Sequence, residues 1–419
     1  MHWNGSDPAS MRILIYATTF GADLWSFTKY LDHRPDTHVD VVMPNPDLYH
    51  KEGVAQLFPL QAGIHKRRWH HNFLSRLIYR ADVTIMDNHV PFRKTSPYGL
   101  MLWHGFGWKG PNDEEEFKWL HKSLKMTWGD AKKENPRFRW QCFGPYDFEH
   151  RTKISGFAPE NCRVLGAASH DDLRKPLDRS LAQPFYPFDI QNKPTVLIAP
   201  TWHYGDVLEH WGGDEILFPK LIQHIGAMGG NIILRLHDSY RFEQKYVDFL
   251  HSLEQQHDNL MLKFKDFSQD NFLDLQVSDL LITNFSSIAN LFYATGRPTI
   301  HIYPVNDADE SFMWKSRFLT GFRVREVESV KYIWKFPPEE NGGLLATNFD
   351  MLMDQVSHAL EDPDCCRERA QAFLDKHMIG ADGRNCERIW NALLELTGKS
   401  YDDELLNSVP VIPSEPLYL

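Results

Sequence analysis

Short apolar runs separated by amphipathic stretches set the pattern of this chain. Residues 11–17 (MRILIYA) are the first run. A loop and helix follow over 18–31, then a second run at 38–43 (HVDVVM) that ends at Pro44. Runs at 83–86, 99–103, 140–143 and 163–165 predict further strands, with helical periodicity between them. Strands alternating with helices imply a parallel sheet. Residues 175–194 then carry Pro176, Pro184, Pro187 and Pro194, a density that marks a linker. Beyond it the pattern restarts, with strands at 195–199, 231–236, 260–264, 280–283 and 299–303. A helix over 218–228 is stopped by Gly229-Gly230, and amphipathic helices cover 351–360, 366–377 and 386–396. No internal repeat interrupts the series.

The expected organisation is a polar tail over 1–10, a first Rossmann-like domain over 11–185, a second over 190–397, and a tail over 398–419. A chain of 419 residues is long enough for two such domains. Two successive parallel α/β halves place the chemistry in a cleft, outside the carboxyl ends of the strands. The net charge of −11 argues against a nucleic-acid-coating function. Five scattered cysteines, an odd number with no CxxC pair, read as reduced thiols rather than as a disulfide framework or zinc site. No run approaches the roughly 20 apolar residues needed to span a bilayer. The polar start lacks the apolar core of a signal peptide. The expected location is therefore cytoplasmic, with a place on the inner membrane face left open.

Polar residues just after strands are the candidates for chemistry. In 280–298 (LLITNFSSIANLFYATGRP) a buried strand runs into Ser286-Ser287 at a helix start, and Gly296 and Pro298 end that helix. Free backbone N–H groups and two hydroxyls make an anion site there; the plainer alternative is that the serines only cap the helix. In 102–110 (LWHGFGWKG), His104 follows an apolar strand and precedes two nearby glycines that allow a substrate to come close. Its side chain suits proton abstraction from a hydroxyl, and Lys109 suits a phosphate; the alternative is a histidine bonded within a turn. In 233–239 (ILRLHDS), Arg235 and His237 share one strand face, as cations for a diphosphate or as exposed edge residues. Thr201, in APTWH at 199–203, ends another strand and lines a nucleotide pocket in this reading.

Residues 65–80 (HKRRWHHNFLSRLIYR) read as one basic amphipathic helix, suited to an anionic membrane or polyanionic acceptor, or else packed on the first sheet. The P-loop, HExxH and GxSxG motifs are absent. The GxGxxG at 105–110 lies far from the first strand and reads as a glycine loop beside His104. DxD matches at 307–309 and 362–364 are short enough to arise by chance, and no metal site is assigned.

Taken in order, WHGFGWK at 103–109, APTWH at 199–203, RLH at 235–237, SDLLITNFSS at 278–287, GRPTIHIYP at 296–304 and DGRNCERI at 382–389 resemble the CDP-glycerol glycerophosphotransferase family. That family includes teichoic-acid primases and polymerases and capsule-polymer relatives. The resemblance implies a GT-B-like fold, two Rossmann-like domains with parallel sheets facing across a cleft. It implies transfer of an alditol phosphate from a CDP-linked donor to an acceptor hydroxyl, with CMP released. By the resemblance His104 is the general base, and His237, Ser286 and Ser287 touch the donor phosphates. Arg235 and Asp382 match motif positions, and Asn284 stands where the family usually has Asp. Asp238 replaces its usual Pro, and His203 its usual Arg. All three departures lie on the donor side and leave glycerol, ribitol or another phospho-sugar open. The implied partners are a CDP-alditol and a polyprenyl-linked or polysaccharide acceptor, with peripheral contact to anionic membrane and no nucleic acid. No cofactor is required, and a divalent cation stays compatible. Two alternatives are a GT-B glycosyltransferase using a nucleotide sugar and a non-catalytic scaffold of a polymer-export complex.

Overall fold

Seven short strands build the first sheet: β1 (Met11–Tyr16), β2 (Thr37–Met43), β3 (Gly63–Lys66), β4 (Val83–Met86), β5 (Tyr98–Met101), β6 (Phe138–Cys142) and β7 (Cys162–Val164). Their order is β3-β2-β1-β4-β5-β6-β7, and neighbouring strands pair in parallel. Parallel strands need cover on both faces, which is why β1 and β4 are apolar at nearly every position. Leu14 and Ile15 point to opposite faces and both are fully buried. The computed structural model describes residues 10–68, 70–103, 105–106, 117–201, 208, 211–302, 311–318, 321–328 and 338–407, with backbone alone for 72–73, 311–318, 321–328 and 338.

The second sheet takes β8 (Thr195–Ile198), β9 (Asn231–Leu236), β10 (Leu260–Phe264), β11 (Leu280–Thr283) and β12 (Thr299–Ile302). After an antiparallel ribbon of β13 (Ser311–Phe318) and β14 (Gly321–Glu328), β15 (Leu344–Ala346) completes it. The order is β10-β9-β8-β11-β12-β15, again parallel. Ile198, Ile222, Ile225, Leu234, Ile282 and Val356 form its buried core. The helix Asp214–Ala227 starts four residues before its expected start at 218 and stops where foreseen: Gly229 adopts φ 77°, and Gly230 N–H bonds the Ile225 carbonyl at 2.9 Å. The ribbon and β15 are not anticipated from sequence.

Two compact units result. Among the described residues, 10–103, 117–172 and 377–407 belong to the first, and 105–106 with those of 173–376 to the second. The sequence pattern assigns everything up to 397 to the second half, whereas the chain returns to the first unit at 377. Asp171 explains the return, since its carboxylate accepts from Asn385 Nδ2 and Cys386 N–H, both at 2.8 Å, at the head of the helix Asn385–Leu396. At the other end of that helix Glu395 pairs with Arg163 at 2.5 Å.

The expected continuous helix over 65–80 is corrected. Sheet pairing takes its first residues, with His65 opposite Val42 and Lys66 opposite Met43, and the helix spans only His71–Ile78. His65 Nε2 also bonds Asp40, on the neighbouring strand β2, at 2.8 Å. Lys66 thus lies on a strand, Arg67 and Arg68 precede the helix, Arg80 follows it with φ 51°, and Trp69 lies outside the described residues.

Candidate functional site

β8 lies between β9 and β11, so the chain leaves it toward one side of the sheet and returns on the other. Such a reversal opens a crevice at the carboxyl edge, where ligands of open α/β sheets bind. Here Thr201 N–H, just past β8, donates to Asn284 Oδ1, just past β11, at 2.9 Å. Thr283 Oγ1 donates to the Ala199 carbonyl at 2.7 Å and ties the same two loops. Below them His301 Nδ1 bonds the Asn284 carbonyl at 2.6 Å and its Nε2 meets Tyr293 Oη at 2.5 Å. A carbonyl only accepts, so Nδ1 carries the proton and Nε2 accepts from the phenol. Complete burial pushes the His301 pKa down to about 4, which keeps the ring neutral and acting as a strut.

The strand β11 ends at Thr283, and residues 284–287 turn the chain into the helix Ile288–Tyr293. Ser287 occupies the N-cap position, as the sequence suggests, but its side chain makes no capping hydrogen bond. Ser286 and Ser287 are both half-buried at this edge. Gly105, the residue after His104, lies against this turn. A Cβ built on it would fall 2.5 Å from Ser287 Oγ and 3.0 Å from Ser287 Cβ. The glycine therefore admits Ser287 itself, where sequence reasoning gave that room to a substrate. Phe106 packs edge-on against Phe373 at 5.9 Å and fastens the same segment to the second unit.

Arg235 and His237 part company. Arg235, on β9, is 8% exposed; its Nη1 bonds Asp274 at 3.1 Å and its Nη2 the Ser268 carbonyl at 2.7 Å. Asp274 also accepts from Lys263 Nζ at 2.6 Å and from the Tyr186 hydroxyl at 2.7 Å. Burial alone would raise the Asp274 pKa, but the Lys263 and Arg235 cations outweigh it and hold the carboxyl below its usual range. The guanidinium thus belongs to a buried ion network rather than to an open phosphate site. His237, the first residue past β9, stays at the edge with its side chain 23% exposed and Nδ1 2.7 Å from Asp238 Oδ2.

Asp382 belongs to the first unit, whereas these residues belong to the second. It lies in the returning segment of the first unit, where Arg388 grips both its oxygens at 2.9 and 2.6 Å. That fork, chiefly, depresses its pKa, so its visible work is to tie the start of the helix Asn385–Leu396. His104 and Lys109 lie outside the described residues. Among the described residues no group of three or more His, Cys, Asp or Glu side chains is placed to hold a metal ion. Sequence reasoning missed Asp274, His301 and the pairing of His237 with Asp238. The Asp at 238 was visible as a departure from the family pattern, and His301 lies inside the GRPTIHIYP stretch without having been singled out, while Asp274 carries no motif signal.

Residues 182–310 match the family described as CDP-glycerol:poly(glycerophosphate) glycerophosphotransferase. Two curated relatives come from Staphylococcus aureus (strain NCTC 8325 / PS 47). The chain is similar to the teichoic acid ribitol-phosphate polymerase TarK, 23% identical over 77% of this chain and 58% of TarK. It is also similar to the polymerase TarL, 26% identical over 75% of this chain and 52% of TarL. The chain thus spans little more than half the length of these relatives. Among solved structures, the wall teichoic acid polymerase TagF aligns with a TM-score of 0.62 at 15% identity, covering 94% of this chain and 90% of that one. A UDP-N-acetylglucosamine 2-epimerase aligns at 0.52 and 11% identity, over 94% and 98%. The fold is GT-B-like, with two parallel-stranded α/β units. The family match thus rests on residues 182–310, and the likeness to TarK and TarL extends over about three quarters of the chain.

Proposed function

We propose that this chain is a transferase that moves an alditol phosphate, of glycerol or ribitol type, from a CDP-linked donor to an acceptor hydroxyl in surface-polymer synthesis. The acceptor oxygen bonds the phosphorus next to the alditol, the bond from that phosphorus to CMP breaks, and the hydroxyl proton passes to a base. CMP leaves with the electron pair of the broken bond. The observation that carries the reading is the gathering of Thr201, Asn284, Ser286, Ser287 and His237 at the carboxyl edge around the β8–β11 reversal, with Gly105 pressed against Ser287. In this reading Ser286, Ser287 and His237 face the diphosphate. Asn284 and Thr201 brace the crevice through their mutual bond, and Arg235 positions β9 from below. His104 is the proposed base and Lys109 a proposed phosphate contact. Positioning and charge stabilisation supply most of the catalysis in such a transfer.

The proposed acceptor is a polyprenyl-linked or polysaccharide chain met at an anionic membrane. Support for the membrane contact is the helix His71–Ile78, which turns the usual arrangement inside out. His71 and Ser75 are buried, while Leu74, Leu77 and Ile78 are 43%, 73% and 49% exposed. Phe92 adds another exposed apolar side chain in the first unit, at 61%. Burial first, and then the charges of Arg137 and Arg76, lower the Lys94 pKa, so these three cations lie within electrostatic reach of one another. Among the described residues no helix is long and apolar enough to cross a membrane.

A thermal-shift screen of CMP, CDP, CTP, UDP and GDP tests the donor. Cytidine nucleotides should raise the melting temperature, because a ligand that binds only the native state stabilises it. Stabilisation by UDP alone would turn the reading to a nucleotide-sugar glycosyltransferase. With a CDP-alditol as donor, His104→Ala should abolish CMP release while nucleotide binding survives.

A further inference from the structure

The first unit has a reversal of its own at β1, which lies between β2 and β4. In a Rossmann-like unit the backbone N–H groups just past the first strand are where a phosphate is received. Here the chain fills that place itself. Thr18 N–H donates to Asp87 Oδ1 and Thr19 N–H to Asp87 Oδ2, both at 2.9 Å, and Asp87 is buried. With both amides taken by a carboxylate, this turn is closed to a nucleotide diphosphate. What the reversal presents instead lies on its rim. Thr18 Oγ1 and His89 Nδ1 bond at 3.0 Å, with Thr18 half-buried and His89 exposed. Among the described residues this is the ring's one hydrogen bond, so Nε2 is available to an outside group. The ring also packs against Trp119, from the helix Lys118–Thr127, with centroids 5.9 Å apart, and Trp119 is 47% exposed. Arg67, the first residue past β3, brings Nη1 to 3.4 Å from the Ala17 carbonyl and lays its guanidinium over the Tyr16 ring at 5.4 Å. Among the described residues it forms no ion pair with a carboxylate. Desolvation of its packed side lowers the His89 pKa, Asp87 opposes this and Arg67 adds to it, so both charges lie within electrostatic reach of the ring.

We propose that this rim, given the reading of the chain as an alditol-phosphate transferase, is an acceptor subsite that takes a polyol joined through a phosphodiester. The Thr18–His89 bond selects a hydroxyl as the partner of Nε2. Whichever side supplies the proton of that bond, Nε2 of the neutral ring is left with the complementary role. A hydroxyl donates or accepts and so fits either form, whereas a phosphate oxygen only accepts and fits one. Trp119 offers an apolar face to the carbon chain of the polyol. Arg67, whose planar fork suits a phosphate, supplies the charge for the phosphodiester. Transfer of an alditol phosphate to a hydroxyl yields a product that ends in such a unit, a polyol on a phosphodiester. The subsite therefore recognises the product of one transfer as the acceptor of the next. It holds the acceptor, and no covalent bond forms or breaks at the rim.

The test is ligand-observed NMR of the full chain, which reads weak binding. The probes are a glycerol-phosphate trimer, a ribitol-phosphate trimer, a neutral trisaccharide and CDP. The proteins are the wild type, His89→Ala, Trp119→Ala and Arg67→Gln. The wild type should bind at least one of the phosphate trimers more tightly than the trisaccharide, and that preference should shrink as salt rises. His89→Ala and Trp119→Ala should each weaken trimer binding by about tenfold. Arg67→Gln should remove most of the preference over the trisaccharide, and CDP should bind all the proteins alike. Equal trimer binding in the wild type and the folded variants overturns the subsite. A trisaccharide that binds the wild type as tightly as the trimers do overturns the phosphodiester specificity. Loss of CDP binding in a folded variant that keeps the trimers makes the rim a nucleotide site and overturns the assignment. A wild type that binds CDP and neither trimer overturns the subsite and leaves the donor reading standing. One that binds a trimer and not CDP overturns the transferase reading instead.

Discussion

Arg235 and His237 are two residues apart in one motif, yet they do different work. Arg235 is enclosed with Asp274, and removing one member of a buried ion network leaves an uncompensated charge behind. Arg235→Ala should therefore lower stability by roughly 3–5 kcal/mol in chemical denaturation. Ser287→Ala should leave stability almost unchanged and weaken CDP binding. If the two variants exchange these phenotypes, the assignment of strut and ligand contact is reversed. The sequence placed both residues on a central strand but could not show which anion Arg235 meets, because Asp274 is distant along the chain and carries no motif. His301 gives a second residue-level expectation. An unfolded histidine titrates near 6.5, whereas the folded ring titrates at about 4. Between those values the unfolded chain binds a proton the fold does not, so stability falls as pH drops from about 6.5 to 4. The full effect is roughly 3 kcal/mol for so buried a ring. Burial raises the Asp270 carboxyl to about 6 and works with the opposite sign, its contribution being lost as pH rises toward that value. His237 adds to His301, so acidification should still destabilise the protein. His301→Gln should make urea midpoints at pH 5 and pH 7 differ by markedly less than in the wild type.

At the scale of elements, legibility followed the strength of the hydrophobic signal. The β1, β4, β8, β9 and β11 runs are apolar because both sheet faces are covered, so they announce themselves. β3 and β15 are edge strands of four and three residues, partly exposed except at Ala346, and neither carries that signal. The β3 residues were instead read as the start of a basic helix, since His65 and Lys66 are as compatible with a helical face as with a strand. The Ser286-Ser287 turn was foreseen as a place, but its neighbour Gly105 was not, because nearly two hundred residues separate them. Gly105→Ala would drive a methyl group into Ser287 Oγ and Cβ. We expect that variant to lose CMP-releasing activity by about tenfold or more while its melting temperature moves little, since Ser287 can shift toward the open edge of the sheet. Full activity in Gly105→Ala would show that the Gly105–Ser287 approach does not serve the reaction. The returning helix Asn385–Leu396 is the other element whose address was hidden. Its apolar face predicts burial somewhere, while Asp171, which decides where, lies in a different stretch of chain.

Each unit, taken as a whole, places its first strand in the interior of the sheet and runs later strands to both sides, so each has its own reversal at a carboxyl edge. The second unit holds the proposed donor crevice at that reversal. The first carries the exposed apolar face of the helix His71–Ile78 and the cationic cluster of Arg76, Lys94 and Arg137. That division makes the proposed membrane attachment separable from the proposed nucleotide binding. An exposed leucine gains by entering the acyl boundary of a bilayer, and burying such a side chain is worth about 1.5–3 kcal/mol. Each nearby cation adds about 1 kcal/mol at an anionic surface and loses it as salt screens the field. Leu77, at 73% exposure the most exposed of the group, is the side chain whose change reads this face with least disturbance to the fold. Leu77→Glu should cut co-sedimentation with phosphatidylglycerol vesicles by about tenfold or more, from the lost burial and the added negative charge. CDP binding by the same protein in the absence of vesicles should not change. Wild-type association should fall as salt rises and be weak on zwitterionic vesicles. Equal sedimentation of wild type and Leu77→Glu would remove this helix from the membrane contact and leave the donor crevice untouched.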